Sequence, residues 1–314
     1  MHELSFKQNM QGMIAGSFLS LSYYYGTVYI LSCAFCLLFL PFLPTTWFYV
    51  IPLFVSIMLP PKASKAFLTS SLMKSLLEYF DYEEVLELSD EELKEMMLKR
   101  NFLFAIQPHG TLPFVNFSNH IKMTCNGFPI IYTAVANIIY SMPIVKHVFG
   151  LFGTVKADKK SLSEALKNKS VDLYVGGMAE LFLSDADAPV ERLYLSKRKG
   201  FIKIAMRTGA DVIPIYAFGN TTTLKVVTWP VLGKISRMIG MSVTWTYGRF
   251  LLPIPMPKKC VYVRGRPLGL PQIDEPTDED INKWHAKYLE EVSRLFNKYH
   301  EKCPEYKGKK LIIE

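Results

Sequence analysis

From Gln8 to Pro61 the chain carries no Asp, Glu, Lys or Arg. That absence excludes an ordinary water-facing segment, which needs charge to stay solvated. A helix crossing a bilayer needs only about 20 apolar residues. The stretch is too long for a secretory signal and lacks a small-residue cleavage site. Residues 1–61 are therefore read as a membrane anchor, against the alternative of a helix wholly buried in a soluble fold. Pro41, Pro44 and Pro52 interrupt the stretch after about Leu40. Two arrangements fit: a hairpin with both ends on one face, or one span followed by a shorter re-entrant piece.

Other absences narrow the chemistry. The five cysteines (Cys33, Cys36, Cys125, Cys260 and Cys303) are odd in number and scattered, so no disulfide framework is implied. Cys33 and Cys36 make a CxxC, but inside the apolar stretch. There is no HxxxH or paired CxxC, so no metal site is expected. A GxSxG nucleophile elbow and a P-loop are both missing. The net charge is +8, yet no zinc pattern or aromatic RNA-binding signature accompanies it, which argues against nucleic acid. The charge then suits an anionic membrane surface or a polyanionic cosubstrate. No internal repeat or low-complexity linker divides the chain.

What is present is apolar and aromatic. Half of the 314 residues are hydrophobic, with 21 Phe and 17 Tyr, and the mean hydropathy is +0.15. After the anchor, β-forming runs alternate with helical patterns. Strands are expected at Phe102–Ile106, Phe128–Ala134, Val171–Val175, Asp211–Phe218 and Cys260–Arg264. Helices are expected at Ser64–Phe80, from the Ser89–Glu92 capping box to about Arg100, at Asn137–Phe149, at Ser161–Asn168 with Ser161 and Glu164 as its box, and at Phe201–Thr208 before Gly209. A last helix starts at Thr277 and carries Ile281, Trp284, Tyr288, Val292, Leu295 and Tyr299 on one stripe. The pattern predicts an α/β domain over residues 62–314, a mixed sheet flanked by helices, behind the anchor. Lys62, Lys65 and Lys74 place that domain on the cytosolic side. Sequons at Asn116, Asn168 and Asn220 test this, because their use would mean a lumenal domain.

His109 stands out among six histidines. A buried strand ends on Gln107-Pro108-His109-Gly110, a turn that holds one imidazole at the sheet edge. A histidine can take a proton from a hydroxyl near neutral pH. It can equally be a buried, turn-stabilising residue, and His120 in a polar patch is its rival. Val175-Gly176-Gly177-Met178-Ala179-Glu180 is a second candidate. Paired glycines let a ligand approach the backbone, and Glu180 is placed to orient an imidazole or bind an acceptor. Lys197-Arg198-Lys199-Gly200 precedes a helix and makes either an anion site or a solvated basic loop. The strand DVIPIYAFGN ends at Asn220, a fourth wall for a site.

These four segments, in this order, resemble the type-2 diacylglycerol acyltransferase family, which also holds monoacylglycerol and wax-alcohol acyltransferases. The resemblance runs from about Tyr79 to Ile313. It is carried by the PHG turn, the block IIYSMPIVKHVFGLFGTVKADKKSLSEALK at 138–167, VGGMAELFL at 175–183 and RKGFIKIAMRTGADVIPIYAFGN at 198–220. It implies a glycerolipid-acyltransferase-like fold in the endoplasmic reticulum membrane, with access to lipid droplets. It also implies transfer of an acyl group from acyl-CoA to diacylglycerol, or to monoacylglycerol or an alcohol, with no cofactor beyond the cosubstrate. His109 is then the catalytic base with Glu180 beside it. Gln107, Pro108, Gly110, Gly176, Gly177, Lys197, Arg198, Lys199, Gly200 and Asn220 then contact substrates. Membrane lipids are expected partners, and a homo-oligomer is left open. Two departures stand out. The family's HPHG begins here with Gln107, which suits an orienting role and not a base, so a catalytically weak or purely lipid-binding member is the alternative. The related HxxxxD signature is absent, since Phe114 stands where its Asp would be.

Overall fold

The computed structural model describes residues 6–177, 180–181, 185–227, 236, 238 and 244–314. Its first helix, α1 (Phe6–Phe39), has 34 residues, which at 1.5 Å per residue is roughly 51 Å. The chain turns at Leu40-Pro41, and Pro44 opens α2 (Pro44–Met58), where its missing N–H costs nothing. Tyr29 donates to the Tyr49 carbonyl at 2.6 Å, and Cys33 packs with Val50 and Leu53, so α2 folds back along the second half of α1. Both helices leave large apolar side chains exposed, including Leu31, Phe35, Leu38, Phe48, Phe54 and Met58. Among the described residues one helix, Lys7–Phe39, is long and apolar enough to cross a membrane.

The first half of α1 behaves differently. Its Ala15 and Leu19 are fully buried in the core of the α/β unit. A Cβ on Gly12 would lie 2.3 Å from the Tyr79 Cβ, so only glycine allows this approach. Ser20 donates to the Pro253 carbonyl at 2.5 Å. The far end of α2 is also fixed. Lys146 donates to the Ile57 carbonyl, His147 lies 3.1 Å from that of Ser56, and the Ile144 N–H donates to the Ser56 hydroxyl. The Lys146 ammonium suits the carbonyl end of a helix.

The rest is a three-layer α/β/α unit, the expected mixed sheet flanked by helices. The chain runs through α3 (Lys65–Leu68), α4 (Ser71–Tyr79), β1 (Glu83–Leu86), α5 (Asp90–Met97), β2 (Phe102–Gln107), α6 (Phe114–Cys125) and β3 (Tyr132–Val135). It continues through α7 (Asn137–Ser141), α8 (Val145–Gly150), β4 (Thr154–Lys156), α9 (Lys159–Asn168), β5 (Val171–Tyr174) and β6 (Val190–Leu193). Last come α10 (Gly200–Thr208), β7 (Asp211–Phe218), β8 (Lys225–Val226), β9 (Thr246–Tyr247), β10 (Val261–Arg264), α11 (Asp278–Tyr299) and β11 (Lys310–Ile313). The main sheet has the order β1-β10-β7-β2-β5-β3-β4. Five strands from β7 to β4 are parallel, and β10 joins β7 antiparallel. β2 lies at the centre with all six residues buried, as an apolar run covered on both faces must be. One face carries α9, α10 and α11. The other carries α1, α4, α6 and α8.

Several expected helices change shape. Ser64–Phe80 is two helices, because Ser70 caps the second with its hydroxyl on the Met73 N–H. Pro143 divides Asn137–Phe149 into α7 and α8. α9 is capped by Asp158, whose carboxylate accepts from the Ser161 N–H and hydroxyl, so Ser161 is not the cap. The boxes at Ser89 and Thr277 form as expected. In α11, His285 and Phe296 are buried, and the His285 ring meets the Leu195 carbonyl. Two sequons, Asn116 and Asn220, are buried, so only Asn168 is on the surface.

Candidate active site

Three neighbouring parallel strands, β5, β2 and β7, end at the same edge of the sheet. Beyond them lie Gly176-Gly177, the QPHG turn and Gly219-Asn220. Ligands of open α/β sheets bind at such carboxyl edges. The sequence separations are large, and the parallel pairing brings the three turns together.

The QPHG turn is held from two sides. Gly110 has φ +61°, and a Cβ there would meet the Asn220 carbonyl oxygen at 2.6 Å. The Asn220 amide donates to the carbonyls of Pro108 and His109, and its Oδ1 accepts from the Val115 N–H in the first turn of α6. The buried Asn220 thus clamps the turn onto α6, and is not on the cavity wall as expected.

Glu180 holds the other side. Its carboxylate accepts from the His109 backbone N–H at 3.0 Å and from the Tyr194 N–H at 3.3 Å. Glu180 is expected to orient the imidazole or bind an acceptor; the hydrogen bond it makes to His109 here is to the backbone N–H. Glu180 is fully buried, and burial pushes its carboxyl up to about 8. Gly176 makes room for it, since a Cβ there would fall 1.9 Å from the Glu180 carboxyl carbon.

The His109 ring is set by its own chain. Nδ1 lies 2.7 Å from the Gly110 carbonyl, which can only accept, so the neutral ring carries its proton on Nδ1. Nε2 keeps a lone pair. Burial lowers the imidazole below its ordinary 6.5, which favours this neutral form. The ring packs at 4.8 Å against Tyr174.

His109 and Tyr174 line a cavity of about 310 Å³, together with Gly177 and Leu181. Its walls are mainly apolar, with Phe117, Phe149 and Phe152 from the α6–α8 side. Ser20, Tyr23 and Tyr24 of α1 close it from the other. Its helix α1 wall is the part that sequence reasoning missed.

The remaining expected site residues lie outside this cavity. Gln107 points to the α11 face, buried, where its Oε1 accepts from the Tyr288 hydroxyl at 2.6 Å. Pro108 is buried in a cis peptide with Gln107. Lys197, Arg198, Lys199 and Gly200 are exposed at the start of α10, and Lys199 donates to Asn282. Tyr194 connects this basic loop to the QPHG turn, because Glu180 accepts from both. Met178 and Ala179 lie outside the described residues. Among the described residues no cluster of three or more His, Cys, Asp or Glu side chains is placed to hold a metal ion.

Fold and site together define a class: an α/β protein that presents a neutral histidine to an apolar cavity at the carboxyl edge of its sheet. The chain belongs to the diacylglycerol acyltransferase family, whose model matches residues 35–314. It is 32% identical over 227 residues to diacylglycerol O-acyltransferase 2 of Dictyostelium discoideum, covering 65% of this chain and 68% of that protein. Against the human diacylglycerol O-acyltransferase 2 it is 31% identical over 229 residues, 66% of this chain but only 58% of that protein. Human 2-acylglycerol O-acyltransferase 3 aligns at 27% identity over 326 residues, 95% of this chain and 92% of that protein.

Proposed function

We propose that this chain is an acyl-CoA-dependent O-acyltransferase that makes triacylglycerol from diacylglycerol at the endoplasmic reticulum membrane. The observation that carries the reading is His109, with Nδ1 committed to the Gly110 carbonyl and Nε2 left as the acceptor at an apolar cavity. His109 Nε2 takes the proton of the acceptor hydroxyl, whose oxygen attacks the thioester carbonyl carbon. The C–S bond breaks, the ester forms, and the proton passes from the imidazole to the departing thiolate, giving free CoA. Backbone N–H groups of the glycine turns, Gly177 on the cavity wall foremost, hold the oxyanion. The exposed Lys197, Arg198 and Lys199 at the α10 N-terminus hold the phosphates of CoA. No acyl-enzyme and no cofactor is involved.

The acceptor comes from the bilayer. The part of α1 beyond Tyr24 and the 15-residue α2 are each roughly 22 Å long, short of the roughly 30 Å hydrocarbon core. The first half of α1 and the end of α2 are both fixed to the α/β unit. This supports a hairpin that enters and leaves one face, with the catalytic unit on the cytosolic side and access to lipid droplets. α1 then runs from lipid to the cavity wall at Ser20, Tyr23 and Tyr24.

A second reading keeps the chemistry and changes the acceptor to monoacylglycerol. It is favoured by coverage, since the human 2-acylglycerol enzyme aligns over 92% of its length. Labelled oleoyl-CoA with a panel of acceptors, comparing wild type and His109→Ala in microsomes, tests both. Retention of most transfer in His109→Ala would overturn the assigned base.

A further inference from the structure

A second polar cluster lies behind the cavity wall. His120 Nε2 sits 2.6 Å from Asp172 Oδ2, and the Asn116 amide donates to the same oxygen at 2.9 Å. All three side chains are nine-tenths or more buried. The Thr133 hydroxyl lies 3.3 Å from the same His120 nitrogen, and Thr133 lines the cavity. Thr154, its partner across β3 and β4, also lines it. Buried polar side chains are costly beside apolar walls unless they are hydrogen-bonded, as His120, Asp172 and Asn116 are to one another. The cluster is not a nucleophile relay, because Asp172 and Thr133 meet one ring nitrogen and such a relay needs both. The short contact places the shared proton between Nε2 and the carboxylate. The Thr133 hydroxyl therefore keeps its own hydrogen for the cavity. Among the described residues, Asp172 Oδ1 and Asn116 Oδ1 behind the wall, and the hydroxyl of Tyr174, a wall residue, are buried without a hydrogen-bond partner.

Its position relative to His109 follows from the sheet. Thr133 is in register with Asp172, and Tyr174, which packs on the His109 ring, is two residues further along β5. With a rise of about 3.3 Å per residue and strands about 4.8 Å apart, the Thr133 Cα stands roughly 8 Å from that of Tyr174, the residue whose ring packs on His109.

We propose that Thr133, with Thr154 beside it and His120–Asp172 behind, is an oxygen-binding subsite that holds an ester or hydroxyl oxygen of a glyceride acceptor. This rests on the acyl-transfer reading of His109. A glyceride carries further oxygens a few bonds from its reacting hydroxyl, whereas a long-chain alcohol carries none. The subsite thus selects glycerides over alcohols. Thr133 touches the substrate, and His120 and Asp172 are positioning residues that act through it.

The test uses the full-length enzyme in lipid–detergent micelles, with oleoyl-CoA and either dioleoylglycerol or hexadecanol. Thr133→Val raises KM for dioleoylglycerol about tenfold, the loss of one hydrogen bond, with kcat held. Its effect on KM for hexadecanol is several-fold smaller, and Thr133→Ser restores the glyceride KM. Asp172→Asn gives the same split. Parallel changes on both acceptors, or no change on either, overturn the proposal. Binding of a fluorescent diacylglycerol without acyl-CoA reads the subsite alone. About tenfold weaker binding to Thr133→Val supports it even if no acceptor is acylated, and equal affinity refutes it. Absence of transfer in wild type would overturn only the reading of His109.

Discussion

At the scale of residues, His109 and Gln107 part company. They are two positions apart, yet His109 meets the cavity while Gln107 faces α11 and Tyr288. A histidine at position 107 would point to the same face, so Gln107→His should leave activity within a few-fold of wild type. A gain approaching the roughly 10²-fold worth of a positioned base would show that this position takes part in proton transfer. Gln107→Leu removes the acceptor of a buried hydroxyl and should cost about 1–3 kcal/mol, read by chemical denaturation. The pH behaviour separates two groups. As the proposed base His109 must be neutral, and burial holds it below 6.5, so activity should stay level down to that pH and fall beneath it. Glu180 retains its proton up to about 8 in the fold, against 4.5 unfolded. The stability it contributes is complete below 4.5 and is lost as pH rises through about 8. Melting temperature should thus decline over that window, with the buried Glu191, raised to about 7, adding to the slope. Glu180→Gln should flatten it; an unchanged slope would assign the decline elsewhere.

At the scale of elements, the glycine turn after β5 makes room for the Glu180 carboxyl that meets the QPHG turn. The chain was legible where one segment carries its own signal. β2 and β7 read as apolar runs, Gly209 as a helix end and Thr277 as a cap, and the four motifs in order were enough for the family. It was illegible where the partner is far along the chain. Nothing near Glu180 announces that its carboxylate receives N–H groups from His109 and Tyr194, so an imidazole partner was the natural expectation. Asn220 looked like a wall residue for the same reason, and Tyr288 looked like plain core. The divided helices at Ser70 and Pro143 are local, but tertiary packing chose the break. Gly176→Ala places a methyl where the Glu180 carboxyl sits, 1.9 Å from its carbon. The carboxylate must leave, and two backbone N–H groups lose their acceptor. The expected result is a loss of transfer of about 10²-fold or more, as for a 1 Å misplacement, with the helix content by circular dichroism retained. Full activity would mean that the staple between the two loops is dispensable.

At the scale of the whole molecule, the apolar N-terminus and the catalytic unit are not independent parts. A tether contributes location only, and its removal would release a working soluble domain of residues 62–314. The packing argues otherwise. Ala15 and Leu19 of α1 share a buried core with Leu76 and Tyr79 of α4, and burial of each large apolar side chain is worth about 1.5–3 kcal/mol. Ser20, Tyr23 and Tyr24 also form one wall of the cavity that His109 faces. Deletion of residues 1–61 therefore opens that cavity and uncovers the α4 face. The truncated chain should aggregate or lose transfer of oleoyl groups to diacylglycerol. By contrast, deletion of residues 26–58 with a short linker in their place removes the hairpin and keeps the α1 segment that packs on α4. That chain should stay folded in detergent, bind membranes more weakly in a flotation assay, and retain transfer to acceptor supplied in micelles. If the 62–314 fragment proves monodisperse and active on micellar substrate, α1 is an anchor alone and the shared wall has no part in the chemistry.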